Sequence, residues 1–398
     1  MNKAILEKEV QDYINSNLNA QSALNADVSK IALSKSPFSE VSSAELANQV
    51  AAKKKAEKKL PTWFKKEGIY YPSTLSIEQT SSEDTAAYKQ ELVKGSTLID
   101  ITAGFGVDSF YFSHKVDEVY SCEINGELSK ISAHNAKLLG RENIQCLAVD
   151  GLEYIAKADK QFGTIYVDPA RRNTSGKVFK LADCTPNVVE HLALLLNKAE
   201  RIIIKTSPLL DLQAGLAELK NVSEIHIVSV KNECKELLWV IDTKFSGETK
   251  VVSAALNTAV KKASFPIRDE QTTKYLENIP AVGYLYEADA ALMKSGAFNS
   301  VANHFGLQKL DKQSHLYFSD EFKPSFIGRI FEIQAFFSPN ELKKQKALQG
   351  NVIVRNFPER AENLVKKFKI KPNKENFYIF TQVQQEYLVF KTKILQYY

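Results

Sequence analysis

Cysteine is scarce in this chain: there are four residues in 398, and none of them forms a Cys-x-x-Cys pair. Cys122, Cys146, Cys184 and Cys234 are too far apart in sequence to predict a disulfide framework or a zinc site. The six histidines show no metal-ligand spacing either. We therefore expect reduced thiols, no bound metal and a cytoplasmic location.

Long apolar runs are also missing. No segment approaches the roughly 20 apolar residues that a membrane span needs. The first ten residues carry scattered charges and no apolar core of a signal peptide. We expect no membrane association, and the length allows two or three domains.

Charge is unevenly distributed. The chain has a net charge of +5, but residues 326–398 contain 13 Lys and Arg against 6 Glu and no Asp, a net of +7. A basic terminal segment on a near-neutral body indicates a polyanionic partner, most simply nucleic acid. A solvated basic face without a partner is an equally good explanation of the charge alone.

The pattern along the chain changes twice. Residues 1–70 are predicted to be helical, and the segment Ser43–Leu60, which Pro61 follows, is rich in strong helix formers. Its lysine cluster favours a solvated face, with contact to phosphates as the alternative. From residue 246 onward the pattern is α+β, with strands predicted at 277–286, 315–319, 326–337, 351–356, 377–382 and 387–392.

Between these regions, short apolar runs alternate with helical ones. Strands are predicted at Thr97–Ile101, Glu118–Glu123, Ile144–Val149, Thr164–Val167 and Arg201–Lys205. Helices are predicted at Asp108–His114, Gly126–Leu139, Gly151–Lys157, Pro186–Asn197 and Leu210–Leu219. This alternation predicts a Rossmann-like, doubly wound α/β sheet. Two further strands, Glu224–Val230 and Glu236–Asp242, are separated only by a short turn. The second must run antiparallel, and we expect it at a sheet edge.

The first strand leads into a glycine-containing loop, Asp100-Ile-Thr102-Ala-Gly104-Phe-Gly106-Val-Asp108. Glycines between a strand and a helix permit a tight turn and close approach of a ligand, although a purely structural turn would look alike. A dinucleotide site needs a third glycine where Ser109 stands. Asp108 would also repel a pyrophosphate at the helix start. S-adenosylmethionine (SAM) carries a sulfonium and an ammonium group, and these acidic residues suit it.

Acidic residues end the next two strands as well. Glu123 can accept hydrogen bonds from both ribose hydroxyls, a feature that NAD sites share. Asn125 is expected to close over the adenine, and Asp150 to accept from the adenine amino group. A helix cap is an equally good role for Asp150. The predicted cofactor residues are Asp100, Thr102, Gly104, Gly106, Asp108, Glu123, Asn125 and Asp150.

The fourth strand ends in Asp168-Pro169-Ala170-Arg171. Such a turn can present an acceptor group to a methyl group, with Asp168 accepting a hydrogen bond from the nucleophile and Pro169 fixing the backbone. Asp168, Pro169 and Arg171 are the predicted catalytic residues, and an ordinary Asp-Pro turn is the alternative. Arg171, Arg172, Lys177 and Lys180 are predicted to grip substrate phosphates or to form a solvated loop. A thiolate mechanism through Cys184 stays open, as does a choice between cofactor contact and helix capping for Gln79, Ser81 and Thr85.

These residues resemble those of class I SAM-dependent methyltransferases, and more closely the bacterial methyltransferases with a C-terminal THUMP-like domain. The matching stretches are Lys59–Trp63, Glu78–Glu83, Asp168–Arg172, Tyr284–Ala288, His315–Ser319 and Val354–Pro358. The resemblance implies a methyltransferase domain at 71–245 after the helical region 1–70. It also implies a ferredoxin-like segment at 246–325 and a basic THUMP-like domain at 326–398. Because THUMP domains bind structured RNA, it implies an RNA substrate, tRNA or rRNA.

Three functions therefore compete. The first is a SAM-dependent methyltransferase acting on a nucleobase of structured RNA. The second is a methyltransferase acting on DNA or protein, although Ala170 and Arg171 replace the proline and the aromatic of the Asp-Pro-Pro-Tyr turn that would hold a flipped base. The third is a non-catalytic RNA-binding protein that retains the fold. The sequence leaves the methylated atom, the RNA species and the oligomeric state undetermined.

Overall fold

The computed structural model describes residues 1–18, 28–171, 180–257, 259–268 and 271–398, and for Arg171 the backbone only. The chain forms two compact units that alternate along the sequence. The first unit contains Met1–Val222 and Trp239–Ser246, and the second contains Ser223–Leu238 and Gly247–Tyr398. The domain boundaries given above remain a prediction.

The first unit begins with the predicted helical region. Its helices are α1 (Lys8–Leu18), α2 (Val28–Leu33), α3 (Ser43–Lys59), α4 (Pro61–Lys65), α5 (Thr74–Gln79) and α6 (Glu83–Lys89). Helix α3 starts at a capping box formed by Ser42 and Glu45, and it stops before Pro61. Buried side chains of these helices, among them Val50 and Trp63, share a core with Phe110.

The lysine cluster of α3 is partly used inside the fold. The Lys53 ammonium donates to Asn15 Oδ1 at 2.6 Å, and Lys55 pairs with Glu78. Lys59 donates to the carbonyl oxygens of Ile77 and Glu78 at 2.9 and 2.6 Å. These three lysines therefore attach α3 to its neighbours.

The first unit contains a parallel sheet. Its strands are β1 (Thr97–Asp100), β2 (Glu118–Cys122), β3 (Ile144–Leu147), β4 (Phe162–Val167) and β7 (Ala199–Thr206), with the two-stranded ribbon β5 (Ala170–Arg171) and β6 (Cys184–Thr185) between β4 and β7. The order is β7-β4-β1-β2-β3, and all these pairings are parallel. The alternating helices are α7 (Val107–Phe112), α8 (Gly126–Leu138), α9 (Gly151–Lys157), α10 (Leu192–Lys198) and α11 (Leu212–Glu218). The predicted α/β sheet is confirmed.

Helix α10 begins at Leu192, later than the predicted Pro186. The strand pairing of Cys184 and Thr185 with β5 ends directly before Pro186, and residues 188–191 form turns before the helix starts.

The next two strands form a hairpin, β8 (Val222–Val230) and β9 (Glu233–Asp242). Lys231 and Asn232 form its two-residue turn with φ of 50° and 62°, as a type I′ turn requires. The expectation that the last strand lies at a sheet edge is wrong, since β9 is hydrogen-bonded to both β7 and β8. The run Leu237–Ile241, buried at every position, is typical of an interior strand.

The second unit contains two strands that the sequence did not predict, β10 (Lys250–Leu256) and β11 (Val260–Pro266). Strand β10 pairs parallel with β8 and antiparallel with β11. Their Ala, Ser and Lys residues give a weak strand signal.

The C-terminal part of this unit is the predicted α+β region. Its strands are β12 (Tyr284–Ala288), β13 (Gln308–Lys309), β14 (Leu316–Ser319), β15 (Gly328–Phe337), β16 (Asn351–Arg355), β17 (Asn376–Val383) and β18 (Glu386–Gln396), in the order β13-β14-β12-β15-β18-β17-β16. Its helices are α12 (Ala290–Ser295), α13 (Phe298–Phe305), α14 (Pro339–Leu342) and α15 (Ala361–Phe368). Gly296, with φ of 71°, separates α12 from α13.

Candidate active site

A cavity of about 720 Å³ opens in the first unit, beyond the carboxyl ends of the parallel strands. Its wall includes Thr102, Gly104, Glu123, Asp150 and Asp168. Ligands bind at this edge of open α/β sheets, and the volume lies in the range of small-molecule pockets. Residues from the ends of four strands therefore meet around one space.

The loop after β1 turns at two glycines with positive φ, Gly104 at 56° and Gly106 at 80°. A Cβ added at Gly104 would meet no atom within 4 Å, so open space lies beside this part of the wall. Gly106 is the N-cap of α7 and lies outside the wall. The loop thus offers backbone surface to a ligand at Gly104.

The Glu123 carboxylate joins the loop after β1 to the loop after β2 through hydrogen bonds. Its Oε2 accepts from Gly104 N at 2.9 Å and its Oε1 from Asn125 N at 2.8 Å. Each oxygen keeps a second lone pair for a hydroxyl donor. Asn125 caps α8 through its Oδ1 and is not part of the wall.

Asp150 caps α9, and its Oδ1 accepts from Leu152 N and Glu153 N at 2.8 and 3.1 Å. Its Oδ2 accepts no hydrogen bond from any residue in the described part of the chain, and Asp150 lies in the cavity wall. The capping role therefore leaves one carboxylate oxygen available to a ligand.

Asp100 lies behind the wall and is 1% exposed. Its Oδ1 accepts from Thr102 N at 3.0 Å and its Oδ2 from Ser109 Oγ at 2.8 Å. Burial raises the pKa of Asp100 to about 7, with Asp108 and Asp168 adding to the rise and the two hydrogen bonds opposing it. The structure thus joins Asp100 to the cavity through Thr102.

Asp108 belongs to a buried network. It pairs with Lys89 at 2.8 Å, and its Oδ2 accepts from Ser81 Oγ and Tyr166 OH, both at 2.9 Å. Burial raises the pKa of Asp108, but the ammonium groups of Lys89 and Lys205 outweigh it and hold the pKa below its usual range.

Both the backbone and the side chain of Asp168 are held by neighbouring residues. Its backbone N–H donates to Thr102 Oγ1 at 2.7 Å, and its Oδ2 pairs with Lys205 Nζ at 2.5 Å. Pro169 is buried and outside the wall. The side chain of Arg171 lies outside the described residues, as do Arg172 and Lys177.

The cysteines near the cavity differ in placement. Cys122 lies in the wall, and burial raises the pKa of its thiol to about 12. Cys184 is fully buried and is not among the wall residues. Neither placement favours a thiolate nucleophile at neutral pH.

The segment before the first strand lies beside the cavity and also caps a helix, and contact of its residues with the cofactor stays a prediction. Gln79 and Ser81 lie in the wall, while Ser82 caps α6 by accepting from Thr85 N.

Sequence reasoning missed Lys205, Lys89 and Ile124. Lys205 could have been found, because it lies near the carboxyl end of β7, the strand that pairs with β4, and Asp168 directly follows β4. Ile124 lies in the wall although it is 72% exposed. Nothing local in the sequence pairs Lys89 with Asp108, which follows it by 19 positions.

The described residues contain no group of three or more His, Cys, Asp and Glu side chains placed to hold a metal ion. None of their helices is long and apolar enough to cross a membrane.

Comparison with known proteins agrees with this geometry. A ferredoxin-like domain model matches residues 284–326, and a THUMP-like domain model matches residues 328–392. Two SAM-dependent methyltransferases from strains of Mycobacterium tuberculosis are 22% identical over 278 residues, covering 69% of this chain and 72% of each relative. A crystal structure of a methyltransferase from Porphyromonas gingivalis is 29% identical and covers 99% of both chains with a TM-score of 0.85.

The chain is a SAM-dependent methyltransferase. Its fold class and its cofactor, both predicted from the sequence, are confirmed. The names of these relatives do not state which molecule accepts the methyl group.

The cavity of this methyltransferase fits SAM. Open space beside Gly104 admits the ligand, and the second lone pairs of Glu123 and the spare oxygen of Asp150 can accept from hydroxyl and amino groups. The exposed side chain of Ile124 offers an apolar surface for a purine ring. The individual contacts of these residues with SAM remain proposals.

Proposed function

We propose that this methyltransferase modifies a nucleobase of structured RNA, tRNA or rRNA. The observation that carries the proposal is the basic surface of the THUMP-like domain. Seven exposed lysines there make no salt bridge with the described residues: Lys343, Lys344, Lys346, Lys366, Lys369, Lys371 and Lys374. Seven exposed ammonium groups outside salt bridges, in a segment with a net charge of +7, suit a polyphosphate partner.

Two of the lysine-bearing segments lie side by side. Gly350 N donates to Lys371 O at 2.8 Å, and Lys371 N donates to Leu348 O at 2.9 Å. Beneath them, Leu342, Leu348 and Ile370 belong to one apolar cluster. The segments that carry these lysines are thus hydrogen-bonded to each other and packed on buried apolar side chains, which favours a fixed docking surface.

The residues around Asp168 support transfer to a nitrogen of the base. Bound SAM supplies a methyl carbon activated by sulfonium. Asp168 can accept a hydrogen bond from an N–H of the acceptor and so direct the nitrogen lone pair at that carbon. The N–CH₃ bond forms as the S–CH₃ bond breaks, the bonding pair stays on sulfur, and the acceptor then loses its proton to solvent.

A labelling experiment tests the proposal. The purified protein is incubated with methyl-labelled SAM and total RNA from cells that lack it, beside Asp168→Ala. We expect label in RNA with the wild type alone, and nuclease digestion then identifies the base. Label in protein or DNA but not in RNA would contradict the RNA assignment. SAM binding without transfer to any acceptor would favour the binding role.

Docking is tested separately by charge reversal. Replacing Lys343, Lys344, Lys369 and Lys371 by Glu should weaken RNA binding and flatten its salt dependence by roughly one log–log unit per lost phosphate contact. The matched control reverses four exposed lysines of the first unit, Lys65, Lys66, Lys137 and Lys220. Equal effects of both sets would show general attraction and no docking surface.

A further inference from the structure

Lys205 lies in the cavity wall at the end of β7, beside the turn that ends β4. The parallel register pairs Val167 with Ile204, which brings Asp168 and Lys205 side by side. The ammonium of Lys205 approaches Asp168 Oδ2 to 2.5 Å. Their side chains are 17% and 34% exposed, so the pair is partly shielded from water.

Asp168 is thereby held from two sides. Thr102 Oγ1 accepts from its backbone N–H, and Thr102 is itself fixed because its own N–H donates to Asp100. These contacts fix only the backbone of Asp168. In the part of the chain that the structure describes, Lys205 is the residue that holds its carboxylate.

We infer that Lys205 is a positioning residue for methyl transfer: it holds the Asp168 carboxylate in the direction in which that group receives the acceptor N–H. This inference rests on the proposed role of Asp168 but not on RNA as the acceptor. Lys205 forms and breaks no bond in the reaction. Methyl transfer depends strongly on alignment, and a misplacement of about 1 Å can cost about 100-fold in rate.

Lys205→Met removes the charge and keeps much of the apolar stem, while Lys205→Arg keeps the charge. Arg201→Met is the matched control on the same strand, because Arg201 forms a comparable ion pair with Asp242 at 2.9 Å near the other end of β7. Thermal unfolding of all three variants of the full chain shows whether each is folded.

The first readout is single-turnover methyl transfer together with SAM affinity by calorimetry. We expect Lys205→Met to transfer about 100-fold more slowly at saturating SAM and acceptor, with SAM affinity within threefold of the wild type. Lys205→Arg should recover part of the rate, and Arg201→Met should match the wild type. Wild-type transfer rates in Lys205→Met, or a loss explained wholly by weaker SAM binding, would overturn the inference.

The second readout needs no turnover. In protein labelled with ¹³C at aspartate carboxyl carbons, the Asp168 signal is identified by its loss in Asp168→Asn. It should move in Lys205→Met and stay in place in Arg201→Met, and an unmoved signal in Lys205→Met would overturn the inference.

The two proposals fail in different ways. If the wild type labels protein or DNA instead of RNA, the RNA assignment fails and the Lys205 variants are compared on that acceptor. If no acceptor is labelled, the carboxyl signal alone decides whether Lys205 fixes Asp168.

Discussion

Several ionisable residues in this methyltransferase are buried, and Asp100 shows most clearly what burial does to such a group. It is 1% exposed, and burial raises its pKa to about 7 from an ordinary 3.8. The folded protein therefore binds this proton more tightly than the unfolded chain does. The contribution of Asp100 to the free energy of unfolding is fully present below about pH 4 and is lost as the pH rises towards 7.

We predict that Asp100→Asn removes this pH dependence. Relative to the variant, the wild type should lose up to about 4 kcal/mol of unfolding free energy between pH 4 and pH 7.5. Urea denaturation at several pH values measures the difference, with the exposed Asp117→Asn as control. A wild-type-minus-variant difference that does not change with pH would contradict the prediction.

Glu123 is the second prediction at this scale. Glu123→Gln should weaken SAM binding about 10- to 100-fold, because hydrogen bonds to a charged group contribute about 1.5–3 kcal/mol. Calorimetric titration with SAM measures this. The control is Glu153→Gln, whose carboxylate pairs with Lys157 in solvent. Unchanged affinity in Glu123→Gln would remove Glu123 from the cofactor site.

At the scale of elements, two helices start in the same way but tolerate change differently. Gly126 and Gly151 are the first residues of α8 and α9, each directly after a capping side chain. A Cβ at Gly151 would lie 2.5–2.8 Å from side-chain and backbone atoms of Ile101, whereas at Gly126 the nearest atom is Ala148 Cβ at 3.8 Å.

Gly151→Ala should therefore destabilise the protein by about 1–3 kcal/mol through overpacking. Gly126→Ala should be neutral or slightly stabilising, because alanine is the better helix former. Chemical denaturation of both variants tests this. Similar stabilities of the two variants would show that Ile101 and α9 move apart at little cost.

The elements were also where sequence reasoning worked best. The ends of β1 and β2 were predicted within one residue, because an apolar run there stops at a polar or acidic residue. The neighbours of β9 were not predicted, although the apolar run Leu237–Ile241 signals an interior strand. The Lys89–Asp108 and Lys205–Asp168 pairs were missed because they join separate elements, and only tertiary packing brings such partners together.

In the molecule as a whole, one buried carboxylate connects the two segments matched by the domain models. Glu287 of the ferredoxin-like segment is 3% exposed and pairs with Arg329 and Arg355 of the THUMP-like segment. Removing its charge would leave two guanidinium groups without their partner.

We predict that Glu287→Gln destabilises the second unit by about 3–5 kcal/mol, the usual cost of breaking a buried ion pair. Hydrogen exchange by mass spectrometry should show faster exchange in β12 and β15. Glu359→Gln, which removes the more exposed pair with Lys367, should cost less than about 1 kcal/mol. Equal protection of β12 and β15 in the wild type and Glu287→Gln would contradict the prediction.

The alternation of the two units along the chain also bears on synthesis and dissection. Trp239 belongs to the first unit, where its indole donates to Thr206 Oγ1 at 2.9 Å. A ribosome must therefore extend the chain beyond residue 239 before the earlier unit can close around this ring. A fragment ending at residue 222 would lack the ring, and one ending at residue 246 would carry segment 223–238 without the rest of its unit. No single cut separates this protein into its two halves.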